Sequence, residues 1–156
     1  MKNAFIGLGS NIGDRHQHLH RAIHHIEAMP QTKLVAVSTF YVTPAWGNIH
    51  QEDFLNACVH IQTHLSAQTC MQYLLAIEEN MGRVRNGDKW QPRIIDLDIL
   101  DFNHEIISTE FVTIPHTYLH ERLFALLPLR EVCPEYIHPV FKKNINELIR
   151  EINNNR

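Results

Sequence analysis

The chain has 156 residues, 44% of them apolar and 20% charged, with a formal net charge of −3. That is the composition of one soluble globular domain over residues 1–156, and the acidic balance argues against a nucleic-acid binder. No stretch approaches the ~20 apolar residues that cross a bilayer, and the start lacks the pattern of a secretory signal. Three cysteines (Cys58, Cys70 and Cys133) without CxxC spacing argue against a disulfide framework or a zinc site. A cytoplasmic, membrane-free protein is expected, with a monomer as the plainest oligomeric state.

Ala4–Leu8 reads as a short buried strand ending at Gly9-Ser10-Asn11, where a glycine-rich turn leads into a helix. Leu19, Ala22, Ile23 and Ile26 recur at helical spacing from Arg15 to about Met29, where Pro30 stops the helix. Residues 33–42 are β-branched and aromatic and read as one strand, 43–53 as a long loop, and 54–63 as the next strand. Ser66 is placed to cap a helix running to about Met81, with Gly82 ending it. Residues 83–93 form a polar, basic loop, 94–100 a strand, and 105–114 a further extended segment after a turn at Asn103-His104. Short helices are expected at 118–126 and 128–132, and a last one from Asn144, where Asn144 and Glu147 form a capping-box pattern.

The order β-α-β-β-α-β with a C-terminal helical tail predicts an α+β fold: a ferredoxin-like antiparallel sheet with helices packed on one face. Such a layer says little about activity.

Chemistry concentrates at Asp96-Leu97-Asp98. On a strand, alternate side chains share a face, so the two carboxylates stand side by side, ~6.5–7 Å apart along the chain. Like charges so placed are tolerable if cations sit between them, and hard oxygen ligands suit Mg²⁺ carrying substrate phosphates. A solvated strand face is the bland alternative. The preceding loop carries Arg83, Arg85, Lys89 and Arg93, and arginine forks match phosphate oxygens. Cations beside a metal-holding acidic pair are what phosphoryl transfer needs; an ordinary basic surface loop is the competing reading. Trp90 is odd in a solvated loop and suits a lid.

Glu78 falls on or beside the inward stripe of Met71, Leu74, Leu75 and Met81, a costly place for a carboxylate. It faces either a neighbouring arginine or the site. Gly7-Leu8-Gly9-Ser10-Asn11-Ile12-Gly13 lacks the ending of a P-loop and reads as a tight strand-to-helix turn. Twelve histidines include His16, His20 and His24 at i, i+4 spacing, which read as a solvated helix surface.

Taken together, several stretches resemble the 6-hydroxymethyl-7,8-dihydropterin pyrophosphokinases. They are Gly7–Asn11, Phe40–Pro44, Phe54–Ala57, the run from Gly82 through Trp90, Pro92 and Arg93 to Ile99, Ile114-Pro115-His116, and Glu121 to Leu129. The resemblance spans nearly the whole chain and implies the ferredoxin-like fold. It also implies transfer of pyrophosphate from ATP to the hydroxymethyl group of a dihydropterin, releasing AMP, in folate biosynthesis.

By that resemblance Asp96 and Asp98 hold two Mg²⁺ ions, and Arg83 and Arg93 contact phosphates. Arg85 and Trp90 belong to a closing loop. Glu78, His116 and Arg122 lie on the ATP side. The pterin lies between Phe54 and Phe124, with Asn56 and the backbone of Thr43, Pro44, Ala45 and Trp46 reading its edge. Gln91, Asn86, Phe111 and Thr117 depart from the family's usual residues. Two rivals stay open: a non-catalytic RNA-binding module on the same layer, and a Mg²⁺-dependent phosphotransferase acting on another flat alcohol.

Overall fold

The computed structural model describes residues 1–44, 53–82 and 94–155. Strand β1 (Lys2–Ser10) leads to helix α1 (Arg15–Glu27) and then to β2 (Thr32–Val37), β3 (Tyr41–Thr43) and β4 (Phe54–Thr63). Helix α2 (Ala67–Asn80), β5 (Asp96–Phe102), β6 (Ile107–Ser108) and β7 (Thr113–Ile114) follow, and α3 (Leu123–Val132) and α4 (Ile145–Asn154) close the chain. The main sheet has the order β2-β4-β1-β5, with β3 also paired to β4, and every pairing is antiparallel. With β3 set aside, this is the split-βαβ order expected from the sequence. No helix among the described residues is long and apolar enough to cross a membrane.

The period-2 alternation of the strands divides two apolar cores between the two faces of the sheet. Ala4, Ile6, Leu8, Val59, Ile61, Leu97 and Ile99 pack with α1 and α2 through Leu19, Ile26, Leu74 and Ile77. Phe5, Cys58 and Leu100, facing the other way, pack with Leu126, Leu129, Tyr136, Leu148 and Ile149. The ferredoxin-like layer and its C-terminal helical tail form as expected; the helices are not confined to one face, because α3 and α4 of that tail cover part of the second.

Local differences have local causes. The expected strand over 33–42 is broken, because Ser38 turns inward. Its amide donates to the Cys58 carbonyl, and its hydroxyl accepts from the Cys58 amide. The segment expected over 105–114 folds back as the β6–β7 hairpin, with Ile107 opposite Ile114. The preceding turn forms where expected, with Asn103 and His104 both at φ 54°. Helix α3 runs through Pro128, where a break was expected. The ring removes the N–H that would bond the Phe124 carbonyl, but Ala125, Leu126 and Leu129 are buried around it and hold the helix. The caps form as read: Ser66 accepts from the Thr69 amide, and Asn144 and Glu147 close a capping box.

Candidate active site

Gly13 lies in the expected turn, at φ 63°, and Gly7 in the expected strand, but that strand runs on through Gly9 to Ser10. Gly7 and Gly9 lie inside β1 and point to the same face as Phe5. Phe5 is covered by the C-terminal helices, and beyond it the face carries no apolar side chain from β1. The register fixes what surrounds the gap. Gly9 pairs with Asn56 on β4 and with Asp96 on β5, and Asn56 pairs in turn with Tyr41 on β3. One row thus runs Tyr41, Asn56, Gly9, Asp96 across four strands. The next row on this face is Cys58, Gly7, Asp98. Two interstrand spacings place Asn56 and Asp96 about 9.5 Å apart, with only a glycine between them.

The glycines are held to their size by their neighbours. A Cβ on Gly9 would stand 3.0 Å from Asn56 Oδ1 and 3.7 Å from Phe54 Cδ1, so the Phe54 ring lies beside this row. A Cβ on Gly7 would meet Leu100 at 3.1 Å. Asn56 is buried, and its Nδ2 donates to Thr43 Oγ1 at 2.6 Å. That bond fixes which way the amide points and ties β4 to the end of β3. Pro44 follows, exposed.

Asp96 and Asp98 are half-buried and alternate with the fully packed Leu97, as the strand reading required. Glu78, at the inward face of α2, is 2% exposed, and its Oε2 accepts the Leu97 amide at 2.7 Å. The buried carboxylate therefore pins the backbone between the two aspartates. A bulge interrupts the β1–β5 register after Ile99 and inserts Leu100. The Leu100 carbonyl accepts the His116 amide at 2.9 Å, and this docks the segment after β7 against β5.

His116 Nδ1 accepts from the Tyr118 amide at 3.2 Å, which leaves Nε2 as the protonated nitrogen of the neutral ring. Burial lowers the pKa of this imidazole; Asp98 acts in the opposite sense, and Arg122 adds to the lowering. His116 thus presents an N–H donor within the electrostatic reach of Asp98. The Arg122 guanidinium lies 5.6 Å from the centre of the Tyr118 ring and 5.7 Å from that of Phe124, within cation–π range of both. Phe124 stands in the first turn of α3, 39% exposed.

The described part of the expected site thus falls into two groups. Thr43, Asn56 and Phe54 surround one side of Gly9; Asp96 and Asp98 lie on β5, with Glu78 behind that strand on α2, His116 on the segment after β7, and Arg122 and Phe124 at the start of α3. Ala45, Trp46, Arg83, Arg85, Trp90 and Arg93 lie outside the described residues, as do Asn86, Lys89 and Gln91. Phe111 and Thr117 are exposed. Among the histidines of α1, His16, His20 and His24 are exposed, as read, with the rings of His16 and His20 near Phe40.

Sequence reasoning missed two things. The roles of Gly7 and Gly9 needed the register. Asp101 is fully buried, accepting from Tyr136 Oη at 2.8 Å and from the His104 amide at 2.9 Å, and burial foremost raises its pKa. Its signal was an acid inside the apolar run Leu97–Phe102, where strand alternation alone would have sent it to the other face.

The structure thus brings together an acidic pair on one strand, a glycine row beside it with the Phe54 ring at its edge, and a neutral imidazole within the electrostatic reach of Asp98. The oxygen-only donor set of Asp96 and Asp98 fits Mg²⁺. The family model described as 7,8-dihydro-6-hydroxymethylpterin-pyrophosphokinase (HPPK) matches residues 5–134. A protein of Methylorubrum extorquens named 2-amino-4-hydroxy-6-hydroxymethyldihydropteridine pyrophosphokinase is 42% identical over 137 residues, covering 88% of this chain and 86% of its own. Proteins of the same name from Aquifex aeolicus and Bacillus subtilis are 37% and 42% identical, covering 94% and 85% of this chain and 90% and 78% of theirs.

Among solved structures, an HPPK-DHPS in complex with substrates superposes with a TM-score of 0.73 at 17% identity over 96% of this chain. The wild-type HPPK-DHPS of Plasmodium falciparum with pteroate gives 0.75 at 20% identity, again over 96%. This chain spans 43% and 42% of those two chains, and at such identities the likeness concerns the fold. With a family model matching most of its length and relatives near 40% identity, the chain belongs to the 7,8-dihydro-6-hydroxymethylpterin-pyrophosphokinase (HPPK) family.

Proposed function

We infer that this chain transfers the pyrophosphoryl group of ATP to the hydroxymethyl oxygen of 6-hydroxymethyl-7,8-dihydropterin, giving the pterin diphosphate and AMP on the way to folate. The observation that carries the reading is the row Asn56, Gly9, Asp96. A planar pterin reading Asn56 with its polar edge and lying over Gly9 reaches toward the carboxylates with its substituent. The aromatic walls would be Phe54 and Phe124, since a flat heteroaromatic is gripped by stacking while polar edges supply specificity.

Asp96 and Asp98 would hold two Mg²⁺ ions, which when bound supply charge neutralisation on the ATP phosphates. Glu78 keeps that strand backbone in place. His116 donates from Nε2 to a phosphate or ribose oxygen, and Arg122 adds positive charge on the nucleotide side. Arg83 and Arg93 are assigned to phosphate contacts, and Arg85 and Trp90 to a segment that excludes water. The pterin oxygen attacks the β-phosphorus in line. The bond from that phosphorus to the α–β bridging oxygen breaks, AMP leaves with the electron pair, and the hydroxyl proton is released to a phosphate oxygen or to solvent. A primary alcohol needs little base assistance when the transition state is loose, so no residue is assigned as the base.

Residues 1–156 act as one pyrophosphokinase domain, as a monomer. Support comes from a single sheet that serves both cores and carries the described site residues of three of its strands. The three cysteines are free and buried, which suits a reducing, cytoplasmic setting.

The test is an incubation with ATP, Mg²⁺ and the hydroxymethyl-dihydropterin, with nucleotides separated by chromatography. AMP formed only when pterin and metal are both present is the expected result. ADP would move the attack to the γ-phosphorus, and no turnover by a folded, metal-loaded sample would overturn the assignment.

A further inference from the structure

Helix α3 ends with a carboxylate that the helix itself disfavours. Glu131 lies in its last turn, where the helix dipole opposes negative charge. Its partners are all on another element. Glu131 Oε1 accepts the Thr39 amide at 2.9 Å, and Oε2 accepts the Thr39 hydroxyl at 2.9 Å and the Tyr41 hydroxyl at 2.7 Å. One side chain thus takes three hydrogen bonds from the short segment that begins β3.

That strand has little else to hold it. It is three residues long, at an edge, and among the described residues it pairs only through Tyr41–Asn56, Val42–Leu55 and Thr43–Phe54. It nonetheless orients Asn56 through Thr43 Oγ1. On α3 itself, Phe124 and Glu131 are seven residues apart, two turns, and so lie on nearly the same stripe. One rigid helix therefore carries an aromatic wall of the proposed slot at one end. At the other end it carries the clamp on the strand that fixes the opposite polar edge.

We propose that Glu131 is a positioning residue for the pterin, holding Tyr41 and Thr43 at a fixed distance from Phe124 so that Asn56 presents its amide correctly. The inference rests on the functional reading above. It predicts a much larger effect on the pterin than on ATP, because the carboxylates and His116 lie on β5 and the segment after β7, which Glu131 does not touch, and Arg122 sits at the far end of α3.

The experiment is steady-state kinetics with each substrate varied, on the wild type, Glu131→Ala, Glu131→Gln and Tyr41→Phe. In Glu131→Ala the KM for pterin should rise roughly tenfold, equivalent to about 1.4 kcal/mol, while the KM for ATP stays within about twofold. Glu131→Gln keeps an acceptor for the Thr39 amide and should recover most of the loss. Tyr41→Phe removes one surface hydroxyl and should raise the pterin KM about two- to threefold even if Glu131→Ala folds poorly. An unchanged pterin KM in both Glu131→Ala and Tyr41→Phe overturns the proposal, and so does an equal rise in both KM values. A wild type that forms no AMP from the pterin overturns the functional reading, and the proposal with it.

Discussion

The buried carboxylate of Glu78 gives a quantitative check on how the acidic strand is held. Glu78 is 2% and Leu97 1% exposed, and the bond between Oε2 and the Leu97 amide is 2.7 Å long. A hydrogen bond to a charged group contributes about 1.5–3 kcal/mol, and leaving a buried amide unpaired costs a comparable amount. Glu78→Ala should therefore destabilise by about 2 kcal/mol. For a chain of this length that lowers Tm by roughly 4–8 °C. Glu78→Gln keeps a carbonyl oxygen in place to accept the same amide and should lose less than half as much.

Thermal unfolding followed by circular dichroism reads both variants. The strand it supports carries the proposed metal ligands, so Glu78→Ala should also need more Mg²⁺ for half-maximal turnover. A Glu78→Ala protein melting within about 1 °C of the wild type would refute the pinning role, because no buried hydrogen bond of this kind is that weak.

Asp96→Ala and Asp98→Ala should each lose several orders of magnitude in turnover while their unfolding curves match the wild type, since each removes an oxygen ligand from a half-buried position; near-normal activity in either would sink the metal assignment. Gly9→Ala sets a Cβ 3.0 Å from Asn56 Oδ1, which its 2.6 Å bond to Thr43 keeps from swinging away. Overpacking of this kind costs about 1–3 kcal/mol, so pterin binding followed by fluorescence should weaken at least about fivefold, and unchanged affinity would refute the row geometry. His138 is held neutral, its pKa lowered from 6.5 to about 4 by burial first and by His120 second. The geometry agrees, since its Nδ1 accepts from the Val140 and Phe141 amides at 3.2 Å. The unfolded chain binds the proton more readily, so stability falls as pH drops from 6.5 toward 4. His138→Asn, which can offer Oδ1 to the same amides, should flatten that part of a urea-midpoint profile; an identical acid slope would refute the assignment.

What could be read from the sequence follows from the range of the forces involved. The caps at Ser66 and Asn144, the turn at Asn103-His104 and strand β4 are set by residues within a few positions of one another, and they fold as read. Asp96, Asp98 and Glu78 were legible for the same reason, because strand and helix periods alone say which way they face. Pro128 misled, since the local cost of a proline is overridden by the burial of Ala125, Leu126 and Leu129. The split of residues 33–42 into two strands could not be foreseen. It depends on Ser38 meeting Cys58, twenty residues away.

The open face of the sheet shows why the site itself was only half visible. Phe5, Gly7 and Gly9 share that face on β1, Cys58 and Asn56 on β4, and Leu100, Asp98 and Asp96 on β5. In each strand an apolar residue lies under the C-terminal helices, and the glycines, Asn56 and the two aspartates lie beyond it, with the Phe54 ring beside them. A single strand read alone shows a glycine-rich turn, a stray asparagine or a pair of acids. Only the antiparallel register, a consequence of the hydrophobic alternation toward α1 and α2, brings the three changes of composition to the same end of the sheet. The core on one face thus fixes the register, and the register assembles the site on the other. Substitutions that shift the β1–β4 pairing by one residue should therefore abolish activity even where every site residue is kept.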